Sequence, residues 1–280
     1  MLTIQQAKKN MEQATELMQQ AQYAQAIELL TPAAAAFEAA QHYESYVQCL
    51  NKHSECLWQS GKNDEGIEKA EKALEICLER WGEECVETAN VYNNLGTCYY
   101  YKGNYDQAIS YHQQALTIRL TALGEQHPNT ASSYGNLGVC YGNKGDYTQA
   151  ISYHQQSLAI HLTILGEQHP DTASSYQCLG NCYWYKGDYT QAISYYQQAL
   201  AIRLTTLGEQ HPNTASSHNN MGVCYNEEGD YTQAISYHQQ ALAIWLTTLG
   251  EQHPNTTYSH NNRSEYYHVK KEYTYRMTYY

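Results

Sequence analysis

The stretch TASSYGNLGVCYGNKGDYTQAISYHQQSLAIHLTILGEQHPD, Thr130–Asp171, occurs four times in succession with few changes. Its Gly-Asp-Tyr core recurs as Gly103-Asn104-Tyr105, Gly145-Asp146-Tyr147, Gly187-Asp188-Tyr189 and Gly229-Asp230-Tyr231. Its His-Pro pair recurs as His127-Pro128, His169-Pro170, His211-Pro212 and His253-Pro254. Every step is 42 residues, without insertion. A fixed period of roughly 20–50 residues signals stacked units rather than a closed globule. Such arrays present extended binding surfaces, which turns expectation away from an enzyme.

Inside the copy, a first helix is expected from about Thr130 to Lys144, with Asn129 or Thr130 accepting from the first unpaired helical N–H groups. Gly145-Asp146 ends it, glycine suiting a left-handed terminal residue. A second helix follows from about Tyr147 to Leu165. Tyr134, Leu137, Gly138 and Tyr141 recur at helical spacing and form an apolar face. Gly138 lowers helix propensity, which implies close approach of the partner helix. The second helix is expected to bury Ala150, Ile151, Ser157, Leu158, Leu162 and Leu165, leaving Gln149, Ser152, Gln155, Gln156 and Thr163 outside. One hairpin cannot cover its own apolar side, and the next copy covers it.

Leu137-Gly138, Tyr141, Gly145-Asp146-Tyr147, Ala150 and Leu158 resemble the tetratricopeptide repeat (TPR). The period, with Leu165-Gly166-Glu167-Gln168-His169-Pro170, is most similar to the kinesin light chain type of that repeat. The resemblance implies an all-α, right-handed solenoid of antiparallel helix pairs, a superhelix with the first helices lining its concave side. The same long repeat also resembles arrays in multidomain signalling proteins.

The expected organisation is one continuous solenoid. It comprises a divergent hairpin over 1–45, a divergent TPR over 46–87, TPRs over 88–129, 130–171, 172–213 and 214–255, and a degenerate half-repeat or C-terminal cap over 256–280. Gly61, Ile67, Ala73-Leu74 and Gly82-Glu83 keep the register in the worn copy. Pro32 falls within a predicted helix, where a kink or restart is expected. Beyond Asn262 the pattern decays, with Arg263-Ser264 and Lys270-Lys271-Glu272 replacing the glycine positions. A polar cap and a truncation in mid-array account for this decay equally well. Residues 1–45 lack the heptads that precede the repeats of kinesin light chains.

Charge narrows the partner class. The net charge of −12 divides into −8 over residues 1–87, −6 over 88–255 and +2 over 256–280. No basic stripe exists, so neither nucleic acid nor an anionic membrane is an expected partner. No signal-peptide core and no apolar run of about 20 residues is present. Four of nine cysteines, Cys98, Cys140, Cys182 and Cys224, recur once per copy, too far apart to pair. They read as buried thiols in a reducing, cytoplasmic setting.

The candidate site is the outward stripe of the first helices. Its residues are Asn90, Asn93, Asn94, Tyr100, Tyr101, Asn136, Asn143, Gln177, Asn181, Trp184, Tyr185, Asn219, Asn220 and Asn226. Side-chain amides both donate and accept, so a ladder of them can hold an extended peptide backbone. The four clear copies contribute no Lys or Arg to these columns, so the expected ligand is a neutral to mildly basic protein or peptide with aromatic or aliphatic anchors. Trp184, Tyr185, Tyr100 and Tyr101 are the expected hot spots. Replacing Asn136 and Asn220 with Ala should abolish binding while leaving thermal stability almost unchanged. A solvated face with some Asn bonded to the neighbouring helix is the competing account.

The four His before Pro lie a whole copy apart, so they suit helix capping rather than one metal ion. His112, His154 and His238 share a column with Tyr196, which points to a packed ring; partial burial would let them titrate near neutrality. Cys178 and Cys182 lack zinc-knuckle spacing. Arg119, His161, Arg203 and Trp245 share a column expected at the boundary, with snorkelling stems. No phosphate loop, dinucleotide fingerprint or nucleophile elbow is present. No enzyme activity, metal or cofactor is therefore expected. The function expected is an interaction scaffold or adaptor; the alternative is a sensor array working with an effector domain, protease-like or nucleotide-dependent.

Overall fold

A computed structural model of the chain describes residues 2–257 together with 260 and 261. The expected half-repeat over 256–280 lies almost wholly outside them. Among the described residues there are helices and turns and no strand. Two compact units divide at 145/146, within the copy 130–171. The first, Met1–Gly145, holds α1 (Ile4–Gln19), α2 (Tyr23–Ala39), α3 (Tyr43–Gln59), α4 (Asn63–Arg80), α5 (Val86–Tyr101), α6 (Tyr105–Leu123) and α7 (Pro128–Lys144). The second, Asp146–Tyr280, holds α8 (Tyr147–Ile164), α9 (Pro170–Tyr185), α10 (Tyr189–Thr206), α11 (Pro212–Glu227) and α12 (Tyr231–Thr248). Within each unit every helix packs on the next, and in the first unit α3 also touches α5 and α5 touches α7. This is the all-α solenoid of paired helices that the period implies.

Ring packing uses one recurrent set of the tyrosines. Tyr111 on α6 lies between Tyr92 and Tyr99 of α5, with ring centroids 6.0 and 5.5 Å away. Tyr195 lies between Tyr176 and Tyr183, and Tyr237 between His218 and Tyr225, in the same arrangement. The helix glycines serve a second ring. A Cβ at Gly96 would stand 2.7 Å from the His112 ring, at Gly180 2.6 Å from Tyr196 and at Gly222 2.8 Å from His238. At these three positions the close approach is made by a side chain of the second helix rather than by its backbone.

The turns before α7, α9 and α11 each carry the same two bonds. His127 is the N-cap of α7, its Nδ1 accepting from the Asn129 N–H at 3.1 Å, where Asn129 or Thr130 was expected to do so. His169, His211 and His253 accept from Asp171, Asn213 and Asn255 at 3.1–3.2 Å. Thr130 instead donates its hydroxyl to the Gly124 carbonyl at 2.9 Å, and Thr88, Thr172 and Thr214 do the same to Gly82, Gly166 and Gly208. At the other end of α7, Gly145 adopts φ 89, the left-handed terminus expected of it.

Of the kink or restart expected at Pro32, the restart does not occur: helix α2 runs through Pro32, with the Thr31 hydroxyl bonded to the Ile27 carbonyl at 2.8 Å. Two further expectations change. Leu165 is 37 % exposed, because it is the C-cap of α8 and sits beyond the packed turns. Arg119 and Arg203 do not snorkel: they are 5 % and 7 % exposed. Arg119 Nη1 donates to the Asn129 carbonyl at 3.0 Å and to Ser133 Oγ at 2.8 Å; Arg203 repeats both bonds on Asn213 and Ser217 at 3.1 and 2.8 Å. In the same column His161 Nδ1 meets Ser175 Oγ at 2.8 Å. That column fastens the second helix of one pair to the first helix of the next.

Candidate functional site

The stripe of the second unit forms a cleft of about 340 Å³ lined by Gln177, Asn181, Trp184 and Tyr185 of α9, Tyr196 of α10, and Asn219, Asn220 and Val223 of α11. Residues 177, 181 and 184 fall on one helical face at successive turns, which is why they converge. Six predicted site residues of this unit meet here; Asn226, one turn farther along α11, does not line the cleft. No charged side chain lines it. Trp184 meets Tyr185 edge-on at 4.8 Å, and Tyr185, 60 % exposed, stacks on Tyr147 at 5.3 Å. Two polar atoms in its walls, Gln177 Oε1 and Trp184 Nε1, are buried without a hydrogen-bond partner. Such atoms are costly unless something pairs with them.

Two bonds from the second helices reach this cleft. The Tyr196 hydroxyl donates to Asn181 Oδ1 at 2.7 Å. His238 Nδ1 lies 3.1 Å from Asn219 Oδ1. Burial pushes the Tyr196 phenol well up and lowers His238 to about 4. His112 and His154 are likewise held near about 4 by burial, with Arg119 adding to the effect at His112. These rings stay neutral at neutral pH, so the expectation of titration there fails, and the packed ring shared with Tyr stands.

The first unit differs at the same register. A cleft of about 310 Å³ is lined by Asn51, Lys52, Glu55 and Trp58 of α3, Asn90, Asn93, Asn94 and Thr97 of α5, and Arg119 of α6. Its amides are largely occupied by neighbouring helices. Asn94 Nδ2 donates to the Asn51 carbonyl and to Asn51 Oδ1, both at 3.3 Å. Asn136 Nδ2 donates to Asn93 Oδ1 at 2.9 Å, and Asn143 Nδ2 to the Tyr100 hydroxyl at 3.2 Å and the Val139 carbonyl at 2.9 Å. Arg119 Nη2 donates to Asn90 Oδ1 at 3.0 Å. Tyr100 packs on Tyr105 and Tyr101, and Tyr101 stacks on Trp58 at 4.5 Å. None of Asn136, Asn143, Tyr100 and Tyr101 lines this cleft.

The worn copy thus adds Lys52 and Glu55, and α6 adds Arg119, to a face expected to be free of basic groups. Asn136 also donates to Asn93, a contact its replacement would remove. Sequence reasoning missed Trp58, although it stands three periods before Trp184. It also missed Tyr196 as a cleft residue, although Tyr196 is the exception in the His112, His154 and His238 column. Among the described residues no group of three or more His, Cys, Asp or Glu could hold a metal ion. No described helix is long and apolar enough to cross a membrane.

The tetratricopeptide repeat family model matches residues 46–121, 87–160, 140–205, 171–244 and 213–273, so the chain belongs to the tetratricopeptide repeat family. Solved structures named as kinesin light chain-like are among those that share its fold. BtubC (BKLC) from P. vanneervenii superposes with TM-score 0.69 at 22 % identity, over 89 % of this chain and 94 % of that one. A kinesin light chain-type protein from Podosopora anserina with nearly identical TPR-like repeats gives 0.66 at 24 %, over 73 % and 97 %. The Signal Transduction ATPase with Numerous Domains from Pyrococcus horikoshii, which has a tetratricopeptide repeat sensor, gives 0.76 at 18 %, over 93 % of this chain and 38 % of that one. No curated protein sequence matches the chain.

Proposed function

We propose that the protein is a non-enzymatic scaffold or adaptor that holds an extended peptide segment of a partner protein against its first helices. The observation that carries this reading is the second-unit cleft, where Gln177, Asn181, Trp184, Tyr185, Asn219 and Asn220 converge without any charged side chain. Buried aromatic anchors ringed by polar groups are the usual centre of such interfaces. An uncharged lining favours a neutral to mildly basic segment with an aromatic or aliphatic anchor over an acidic one. The remaining candidates, Asn90, Asn93 and Asn94 with their neighbours, belong to a second contact of lower weight, since their amides already serve helix packing. All nine cysteines are unpaired, in keeping with a cytoplasmic, reducing setting.

The test is a titration. Peptides enriched from a display library on the full chain are measured against the chain and against Trp184→Ala with Asn220→Ala. Loss of at least about tenfold in affinity is expected, since central aromatic anchors contribute about 2 kcal/mol or more. Equal affinity would sink the proposal. A second reading, a sensor array acting with an effector domain, draws on the likeness to the P. horikoshii protein. An effector-coding sequence fused or adjacent to this one would favour it.

A further inference from the structure

Two amide side chains of the second-unit cleft, those of Asn181 and Asn219, are held by bonds from the second helices. Tyr196 on α10 and His238 on α12 each occupy a seat made by a helix glycine, Gly180 and Gly222. From that seat each reaches an amide oxygen, Asn181 Oδ1 at 2.7 Å and Asn219 Oδ1 at 3.1 Å. An Asn amide has one oxygen and one NH₂ group, so occupying the oxygen commits the NH₂ group to whatever else the side chain meets. The chain itself pairs the residues. Tyr196 stands where the other copies have His112, His154 and His238, and Asn181 stands where they have Thr97, Val139 and Val223. The longer phenol reaches residue 181, whereas the shorter imidazole of His238 reaches residue 219, the equivalent of Gln177 one turn earlier. The odd ring and the odd amide therefore occur in the same copy and touch.

We propose that Tyr196 and His238 are positioning residues that set the polarity of this cleft, turning the NH₂ groups of Asn181 and Asn219 to the ligand and making the cleft a subsite for uncharged acceptors, the main-chain carbonyl oxygens of an extended peptide. This rests on the peptide reading above and deepens it. Trp184 Nε1, buried without an acceptor, adds one more donor to the same wall. Gln177 Oε1 is the unmatched acceptor and takes one N–H of the same backbone. The lining has no cation to hold a carboxylate, which separates carbonyl recognition from anion binding.

The experiment uses the full chain and blocked peptides enriched from a display library. Tyr196→Phe keeps the ring on Gly180 and removes only the hydroxyl. It should weaken binding by about fivefold to tenfold, the equivalent of one hydrogen bond, with the unfolding midpoint little changed. Asn181→Val, the residue of two sister copies, should weaken binding similarly, and the double variant should be no weaker than either, because one amide is being counted. Ester replacement of the contacted peptide bond, which makes the carbonyl a poorer acceptor, should weaken binding to the parent chain and have little effect on the double variant. Unchanged affinity for Tyr196→Phe overturns the proposal, as do additive effects of the two substitutions or enrichment of acidic peptides. If Trp184→Ala with Asn220→Ala also leaves affinity unchanged, or the library yields no binder, the peptide reading itself fails. If that variant loses binding while Tyr196→Phe does not, only the polarity assignment fails.

Discussion

The two units hold the same kind of stripe to different ends. In the first, Asn94, Asn136 and Asn143 donate to the preceding first helix, and Arg119 takes the oxygen of Asn90. In the second, Asn181 and Asn219 are tied instead to rings of the paired second helix, and their stripe lines an uncharged cleft around Trp184. One chemistry, a side-chain amide at helical spacing, therefore bonds the preceding first helix in one place and, on the proposed reading, serves a partner in the other. An amide's role in a repeat array is decided by which helix it bonds, and not by its column.

Acid should produce the largest effect, and it should not discriminate between the units. His53 and His112 in the first and His154 and His238 in the second are each lowered to about 4, chiefly by burial. A depressed folded value means that the unfolded chain protonates first. Stability is full above the unfolded value of about 6.5 and is lost progressively as pH falls towards about 4, by roughly 1.4 kcal/mol for each pH unit separating the two values of each ring. Urea midpoints measured across that window should fall steadily in both units. A flat profile would contradict the neutral buried rings.

Overpacking comes next. Gly180→Ala sets a Cβ 2.6 Å from the Tyr196 ring, and Gly96→Ala sets one 2.7 Å from His112. Each should cost about 1–3 kcal/mol in chemical unfolding. Only Gly180→Ala should also change ligand affinity, because it moves Tyr196. Equal effects on binding would erase the difference between the units.

Single amides then divide the two roles. Asn136→Ala should lower stability by about 1 kcal/mol through its lost bond to Asn93, with little change in peptide affinity. Asn220→Ala should do the reverse. Calorimetric unfolding and titration of the two variants settle whether the columns have separated as described. The smallest effect lies at Ala21, which has φ 55 at the turn after α1. Ala21→Gly should stabilise by about 0.5–1 kcal/mol by relieving left-handed strain.

The period made the fold legible, because it fixes glycine turns, ring columns and helix lengths together. The cluster around Trp184 was legible too, since it is where the copies disagree. The His-capped turns were legible only as a class. Which atom accepts from which N–H depends on backbone placement one residue before Pro128. Arg119 was misplaced because snorkelling is the ordinary fate of a long cation, whereas here Ser133 and two oxygens of neighbouring helices receive it. The bond from Asn136 to Asn93 was not legible, because column position cannot tell an amide facing a neighbouring helix from one facing solvent. The link between Tyr196 and Asn181 was present in the sequence as two coincident exceptions. Its meaning required knowing that a phenol reaches one helical turn farther than an imidazole.

The paired bonds of the turn, His127 to the Asn129 N–H and Thr130 to the Gly124 carbonyl, also act as a ruler. Threonine and glycine stand six residues apart at each junction from Thr88 to Thr214, with the hydroxyl at 2.8–2.9 Å from the carbonyl. An inserted or deleted residue between them would break the threonine contact, and one placed between His127 and Asn129 would break the histidine cap as well. Such a connector tolerates no drift in length, so the array can lengthen or shorten only by whole copies. The constant spacing of the repeats is then a mechanical requirement of the junction as much as a trace of their duplication.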